Sequence, residues 1–204
     1  MNKMVLMVML LESALAACGR TPAYVPAAVA AGATPAPVTF PPVSSLSSTE
    51  VSMALQLTSP VFIQGNPIPA VYTCTGRNIS PALAWGEPPS GTQAFALIMD
   101  DPDAPGGTWT HWVLFNLPGS TRSLSENVPP GASLPDGSLQ GKNSWGNAGY
   151  GGPCPPSGTH RYFFKLFALD RALDLTSGAD AARLVKAMQG HVLAKVELMG
   201  TYRK

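Results

Sequence analysis

Charge is what this chain has least of: 12% of its 204 residues are Asp, Glu, Lys or Arg, and 13 basic side chains almost cancel 12 acidic ones. Neutralising a phosphate backbone needs a stripe of Lys and Arg. No such cluster is present, which excludes nucleic acid as a partner. Long hydrophobic runs are also missing, since Met4 to Leu11 falls far short of the roughly 20 apolar residues that a membrane-spanning helix needs. There is no Gly-x-Ser-x-Gly elbow and no Walker loop, so neither a strained serine nucleophile nor a glycine cradle for nucleotide phosphates is encoded. Cysteines number only three, and the set Cys74, Cys154, His111 and His160 matches no zinc spacing. No metal and no cofactor is expected, and no internal repeat is visible.

What is there begins with processing signals. Lys3 supplies a positive start, Met4 to Leu11 an apolar stretch, and Leu15-Ala16-Ala17-Cys18 a small-residue cleavage site ending in cysteine. This arrangement resembles a bacterial lipoprotein signal, which implies removal of residues 1–17 and lipidation of Cys18. Its alternative is an ordinary secretory signal cut nearby. Gly19, rather than Asp, by the same resemblance favours the outer membrane of a cell that has one, on its periplasmic side or at the surface. From there to residue 50 the chain is mainly Ala, Pro, Thr, Ser and Val, with almost no charge and no apolar period, too poor in packing groups to offset the entropy of ordering. The expected organisation is a signal over 1–17, a lipidated tether over 18–50 and a single domain over 51–204. With Cys18 lipidated, Cys74 and Cys154 are left to form a disulfide in an oxidising compartment, or to sit apart as two buried thiols.

Within the domain, alternation at Met53, Leu55 and Leu57 predicts a strand, and Val61 to Ile63 a second short one. Ala94 to Met99 is a continuous apolar run suited to a buried central strand. Trp112 to Leu117, Tyr162 to Leu169 and Val192 to Tyr202 are further β-rich runs, separated by Pro and Gly. One helix is predicted over Ala179 to Gln189, with Asp180 in its first turn and Gly190 at its end. The fold expected from pattern is mostly β, two packed sheets with one or two helices.

Two segments concentrate chemistry. Asp100, Asp101 and Asp103 stand at the end of the apolar run on a turn stiffened by Pro102 and Pro105, where they either cap local amides or build a site. Some fifty residues on, Gly152-Pro153-Cys154-Pro155-Pro156-Ser157-Gly158-Thr159 leads into His160-Arg161-Tyr162. Alternation puts His160 and Tyr162 on one face and Arg161 on the other. By the same rule His111, between Thr110 and Trp112, points away from both. Two imidazoles, a phenol and a nearby carboxylate make a candidate anion pocket.

Taken in order, Asp101-Pro102-Asp103-Ala104-Pro105, Trp109-x-His111, and the Gly-Pro-x-Pro-Pro-x-Gly-x-His-Arg-Tyr run resemble the phosphatidylethanolamine-binding protein family. The nearer likeness is to its bacterial branch, the Raf-kinase-inhibitor-like proteins of the YbhB/YbcL type. Asn78-Ile79-Ser80-Pro81 and Phe167-Ala168-Leu169-Asp170 belong to the same pattern, and the likeness runs from about Val51 to Tyr202. It implies a β-sandwich of two antiparallel sheets with peripheral helices, and a pocket for phosphate-type anions or phospholipid head groups. By position, that pocket would be lined by Asp101, Asp103, Ala104, Trp109, His111, Pro156, His160 and Tyr162, with Arg161 as a structural anchor beneath it. A regulatory role without turnover is expected, with inhibition of a kinase or protease through the pocket rim, or weak hydrolysis by a His/Asp base, as alternatives. Cys154 departs from the eukaryotic members, as does the lack of their C-terminal helical extension.

Overall fold

The computed structural model describes residues 55–204. The signal, Cys18, the tether and Met53 lie outside the described residues. Each residue of the apolar run Ala94–Asp101 (β3) is buried, because this strand is the middle of a five-stranded antiparallel sheet. Trp109–Pro118 (β4) pairs along one edge of β3 and Thr159–Leu169 (β7) along the other. Leu139–Gln140 (β6) extends the sheet beyond β4, and Val192–Arg203 (β8) beyond β7. A smaller antiparallel sheet joins Leu57–Thr58 (β1), Leu83–Trp85 (β2) and Ser123–Leu124 (β5), in the order β1-β2-β5.

Strand alternation splits the apolar side chains between two layers. Phe95, Leu97 and Met99 of β3 pack with Tyr162, Phe164 and Leu166 of β7 against Leu57, Leu83, Trp85 and Leu124 of the small sheet. Ala94, Ala96 and Ile98 face the other way, where Leu184 of the helix Ala181–Ala187 (α1) and its C-cap Met188 share their cluster. Both faces of β3 are therefore covered, which is why its sequence is continuously apolar rather than alternating. The mostly-β expectation of two antiparallel sheets holds.

Local differences from the sequence reading have local causes. Asp180 is the N-cap of α1 rather than a first-turn residue, its Oδ1 accepting the Arg183 N–H at 2.9 Å, so the helix is shorter than expected. Val61 to Ile63 forms no strand: Pro60 has no N–H to offer a ladder, Phe62 is buried as a single knob, and Ile63 is 67% exposed. β2, β5 and β6 are too short for a periodic signal.

Two irregularities interrupt the β3–β4 ladder. At the first, Phe115 and Asn116 oppose Ala96, and Asn116 takes a φ of 58°. Its side-chain amide donates to the Leu173 carbonyl and accepts the Leu173 N–H. At the second, pairing passes from Met99↔Trp112 to Asp100↔Thr110, leaving His111 as an extra residue on β4. This bulge overturns simple alternation. His111 packs edge-on against Tyr162, a member of the same inter-sheet cluster as Trp112, so the imidazole and the indole share a face.

Candidate functional site

At one end of the sandwich, the bulge in β4, the end of β3 and the start of β7 meet. A cavity of about 230 Å3 opens there, lined by Asp101, Ala104, Pro105, Trp109, His111, Trp145, Cys154, Pro156 and His160. Six of the eight expected pocket residues are in this lining. The two that are not are Asp103, which is drawn to Arg161, and Tyr162, which is buried in the core beside His111.

The three carboxylates at the end of β3 go to three different cations or imidazoles of β7. Asp100 and Asp101 are strand residues on opposite faces. Asp100 Oδ2 accepts from Lys165 Nζ at 2.6 Å, on the helix-covered side. Asp101 is buried in the cavity wall, where Oδ2 pairs with His160 Nδ1 at 2.7 Å and Oδ1 accepts the backbone N–H of Asp103 at 2.8 Å. That second bond closes an Asx-type turn, which directs Asp103 outward. Asp103 Oδ2 then accepts from both the backbone N–H and Nε of Arg161, and Oδ1 from Nη2 at 2.6 Å. Arg161 holds the Asp103 carboxyl at about 2, below the usual carboxylate range. The expected anchor is thus a surface clamp on Asp103 rather than a residue beneath the pocket, with 54% of its side chain exposed.

Tyr162 lies under the floor. It is wholly buried, with its ring 5.2 Å from that of His111, and its hydroxyl has no hydrogen-bond partner among the described residues. Burial and the Asp101 charge raise its pKa well above the usual phenol value.

The two imidazoles are presented alike. His111 Nδ1 lies 2.7 Å from the Gly151 carbonyl, and because a carbonyl only accepts, the ring must carry its proton on Nδ1. Burial pushes the His111 pKa below its ordinary value, against the opposing pull of the Gly151 carbonyl and the Asp101 charge. His160 commits its own Nδ1 to Asp101. In both rings Nε2 is the nitrogen left for a ligand.

The wall opposite comes from the loop that follows β6. Gly141, Ser144 and Gly151 donate backbone N–H groups to the carbonyls of Val113, Thr110 and His111, so this loop runs beside β4. It ends in Gly152, whose N–H donates to Asn78 Oδ1 at 2.7 Å and whose position admits no side chain: a Cβ there would lie 2.3 Å from the Tyr72 carbonyl oxygen. The next turn carries the Cys74–Cys154 disulfide, with Cα atoms 5.4 Å apart. Cys154 and Trp145 are lining residues that the sequence reading did not include, as is Pro105. Trp145 sits alone between Ser144 and Gly146, and only the loop's path beside β4 brings it to the cavity.

A larger cavity of about 770 Å3 lies on the far face of the main sheet, between Ile98, Phe167 and α1. None of the eight expected pocket residues lines it, although Asp100, paired with Lys165, does.

Comparison with known proteins agrees with this fold. A UPF0098 protein of Methanothermobacter thermautotrophicus is 53% identical over 150 residues, 74% of this chain and 99% of its own. A Mycobacterium tuberculosis protein bearing the lipoprotein name LppC is 38% identical over 201 residues, 93% of this chain and 90% of its own. The crystal structure of the phosphatidylethanolamine-binding-protein homologue CT736 from Chlamydia trachomatis matches with a TM-score of 0.69 at 41% identity, over 75% of this chain and 99% of that one. That of E. coli YbcL matches with a TM-score of 0.67 at 33% identity, over 74% and 98%. The family model for phosphatidylethanolamine-binding protein spans residues 58–203, from β1 to the end of β8, and with it the cavity described above: the chain belongs to the phosphatidylethanolamine-binding protein family.

Proposed function

We propose that this protein is an envelope-anchored binding module without turnover, whose cavity holds the phosphoryl group of a phosphate ester such as a phospholipid head group. The observation that carries the reading is the convergence of His111 and His160 on one small cavity with both Nδ1 atoms already committed. An anion at Nε2 needs an N–H there. With Nδ1 already a donor, each ring must become an imidazolium to supply it, and charge-assisted hydrogen bonds follow. Among the described residues the lining holds no serine, threonine or free thiol, since Cys154 is bonded to Cys74, and this favours binding over nucleophilic catalysis. The anchor rests on Cys18 and on the LppC relative, whose match extends over most of the chain.

Binding on this reading takes up protons. A diester such as glycerophosphoethanolamine keeps a single phosphate charge between pH 6 and 8 and so isolates the histidine contribution. Calorimetry should show affinity falling as pH rises across that range, by at most about tenfold per unit for each proton taken up, and His160→Ala should flatten the dependence. Equal affinity at both ends of the range withdraws the histidines as anion contacts.

The 2.7 Å Asp101–His160 pair also has the form of an oriented general base. Turnover of chromogenic phosphodiesters that disappears in His160→Ala would replace the binding role with a hydrolytic one.

A further inference from the structure

The phosphoryl cavity has a neighbour. A second cavity of about 310 Å3 shares two of its walls, Trp145 and Cys154, so the two cavities adjoin across an indole and a disulfide. Their chemistry differs. Among the described residues no charged side chain lines the second cavity, and its polar side chains are amide and phenol: Asn78, Asn143, Asn147 and Tyr150.

Some of these groups are spent on structure. Asn143 accepts the N–H groups of Trp145 and Asn147 on Oδ1 and donates Nδ2 to the Gly149 carbonyl, which builds the turn that presents the indole. Tyr150 donates its hydroxyl to the Tyr72 carbonyl, and Asn78 Oδ1 accepts from Gly152. Asn78 Nδ2 and both polar atoms of the Asn147 side chain have no partner among the described residues. They adjoin Trp145, which is 46% exposed yet held edge-on to Trp109 at 5.4 Å and to His111 at 5.1 Å. Gly151 backs it so closely that a Cβ there would lie 2.5 Å from the indole ring. An exposed aromatic fixed in this way loses little freedom on binding.

We propose that the second cavity takes a neutral polyhydroxyl group esterified to the phosphoryl group held in the first, making the ligand a phosphodiester of a polyol. The inference rests on the phosphate reading above. With no cation in its lining the cavity cannot repay the desolvation of a second anion, and with no carboxylate an ammonium group would have only the indole as partner. Free amides offer a donor and an acceptor side by side, the pairing a hydroxyl uses, while the indole covers the C–H face of the polyol.

Calorimetry on the full chain at pH 6 with dimethyl phosphate, glycerophosphoglycerol and glycerophosphocholine tests this. Glycerophosphoglycerol should bind about tenfold tighter than dimethyl phosphate, the return on one or two added hydrogen bonds. Asn147→Ala, at an exposed side chain that does not line the phosphoryl cavity, should remove most of that gap and leave dimethyl phosphate affinity unchanged. Equal affinity for the first two diesters, a preference that survives Asn147→Ala, or tighter binding of glycerophosphocholine overturns the polyol site while leaving the phosphoryl cavity standing. Failure of all three diesters to bind overturns the phosphate reading and this inference with it.

Discussion

Asp103 and Arg161 show how a motif residue can support a site without lining it. The Asp103 carboxylate holds the backbone N–H of Arg161 as well as its guanidinium, so it pins the start of strand β7 immediately beside His160. Removing the guanidinium in Arg161→Ala leaves the backbone bond, whereas Asp103→Ala loses both. Thermal melts should therefore rank Asp103→Ala below Arg161→Ala, and Arg161→Ala should lower stability more than it lowers diester affinity. The acid dependence has a definite sign. Asp103 titrates near 2 in the fold, below its ordinary value of 3.8, so its contribution is complete above about pH 4 and is lost as pH falls through about 2. The gap in melting temperature between wild type and Asp103→Ala should close over that window, and a gap that persists at its acid end would show that the pair is not its source.

Among the elements, the segment from Gly141 to Pro156 does the most to make the cavity, supplying Trp145, the carbonyl that orients His111, and Pro156. It is tied down by backbone bonds to β4 and by the disulfide, which links residues 80 apart in sequence and joins it to the turn after the 3-10 helix Ala70–Tyr72. Closing a loop of that length removes enough entropy from the unfolded chain to stabilise the fold by about 4 kcal/mol. Unreduced, denatured protein should accordingly show no reactive thiol from Cys74 or Cys154, and reduction should lower the unfolding free energy by roughly that amount. Two reactive thiols in protein taken from an oxidising compartment would remove the bond from the account. Reduction should also weaken diester binding, because Cys154 and Pro156 are walls of the cavity.

At the scale of the whole molecule, the lipoprotein reading places a binding domain on a membrane. Cells fed a fatty-acid analogue should label the wild-type protein, which should partition into detergent, and Cys18→Ser should lose both properties. Label kept by Cys18→Ser would point to an ordinary secretory signal instead. How far the molecule was legible in its sequence follows from the range of the interactions involved. Fold class, the buried strand β3, α1 and the residues His160 and Asp101 were readable because apolar periodicity, caps and proline-stiffened turns act over a few residues. The family pattern added Ala104, Trp109 and Pro156, whose chemistry alone gives no sign of a site. Tertiary structure alone decided the facing of His111, since a bulge is a property of a strand pair and cannot be seen in one strand. It alone turned Asp103 away from the cavity toward Arg161, 58 residues on, and carried Trp145 to the cavity along the edge of β4. Such placements depend on contacts between distant parts of the chain, and a reading limited to neighbouring residues has no signal for them.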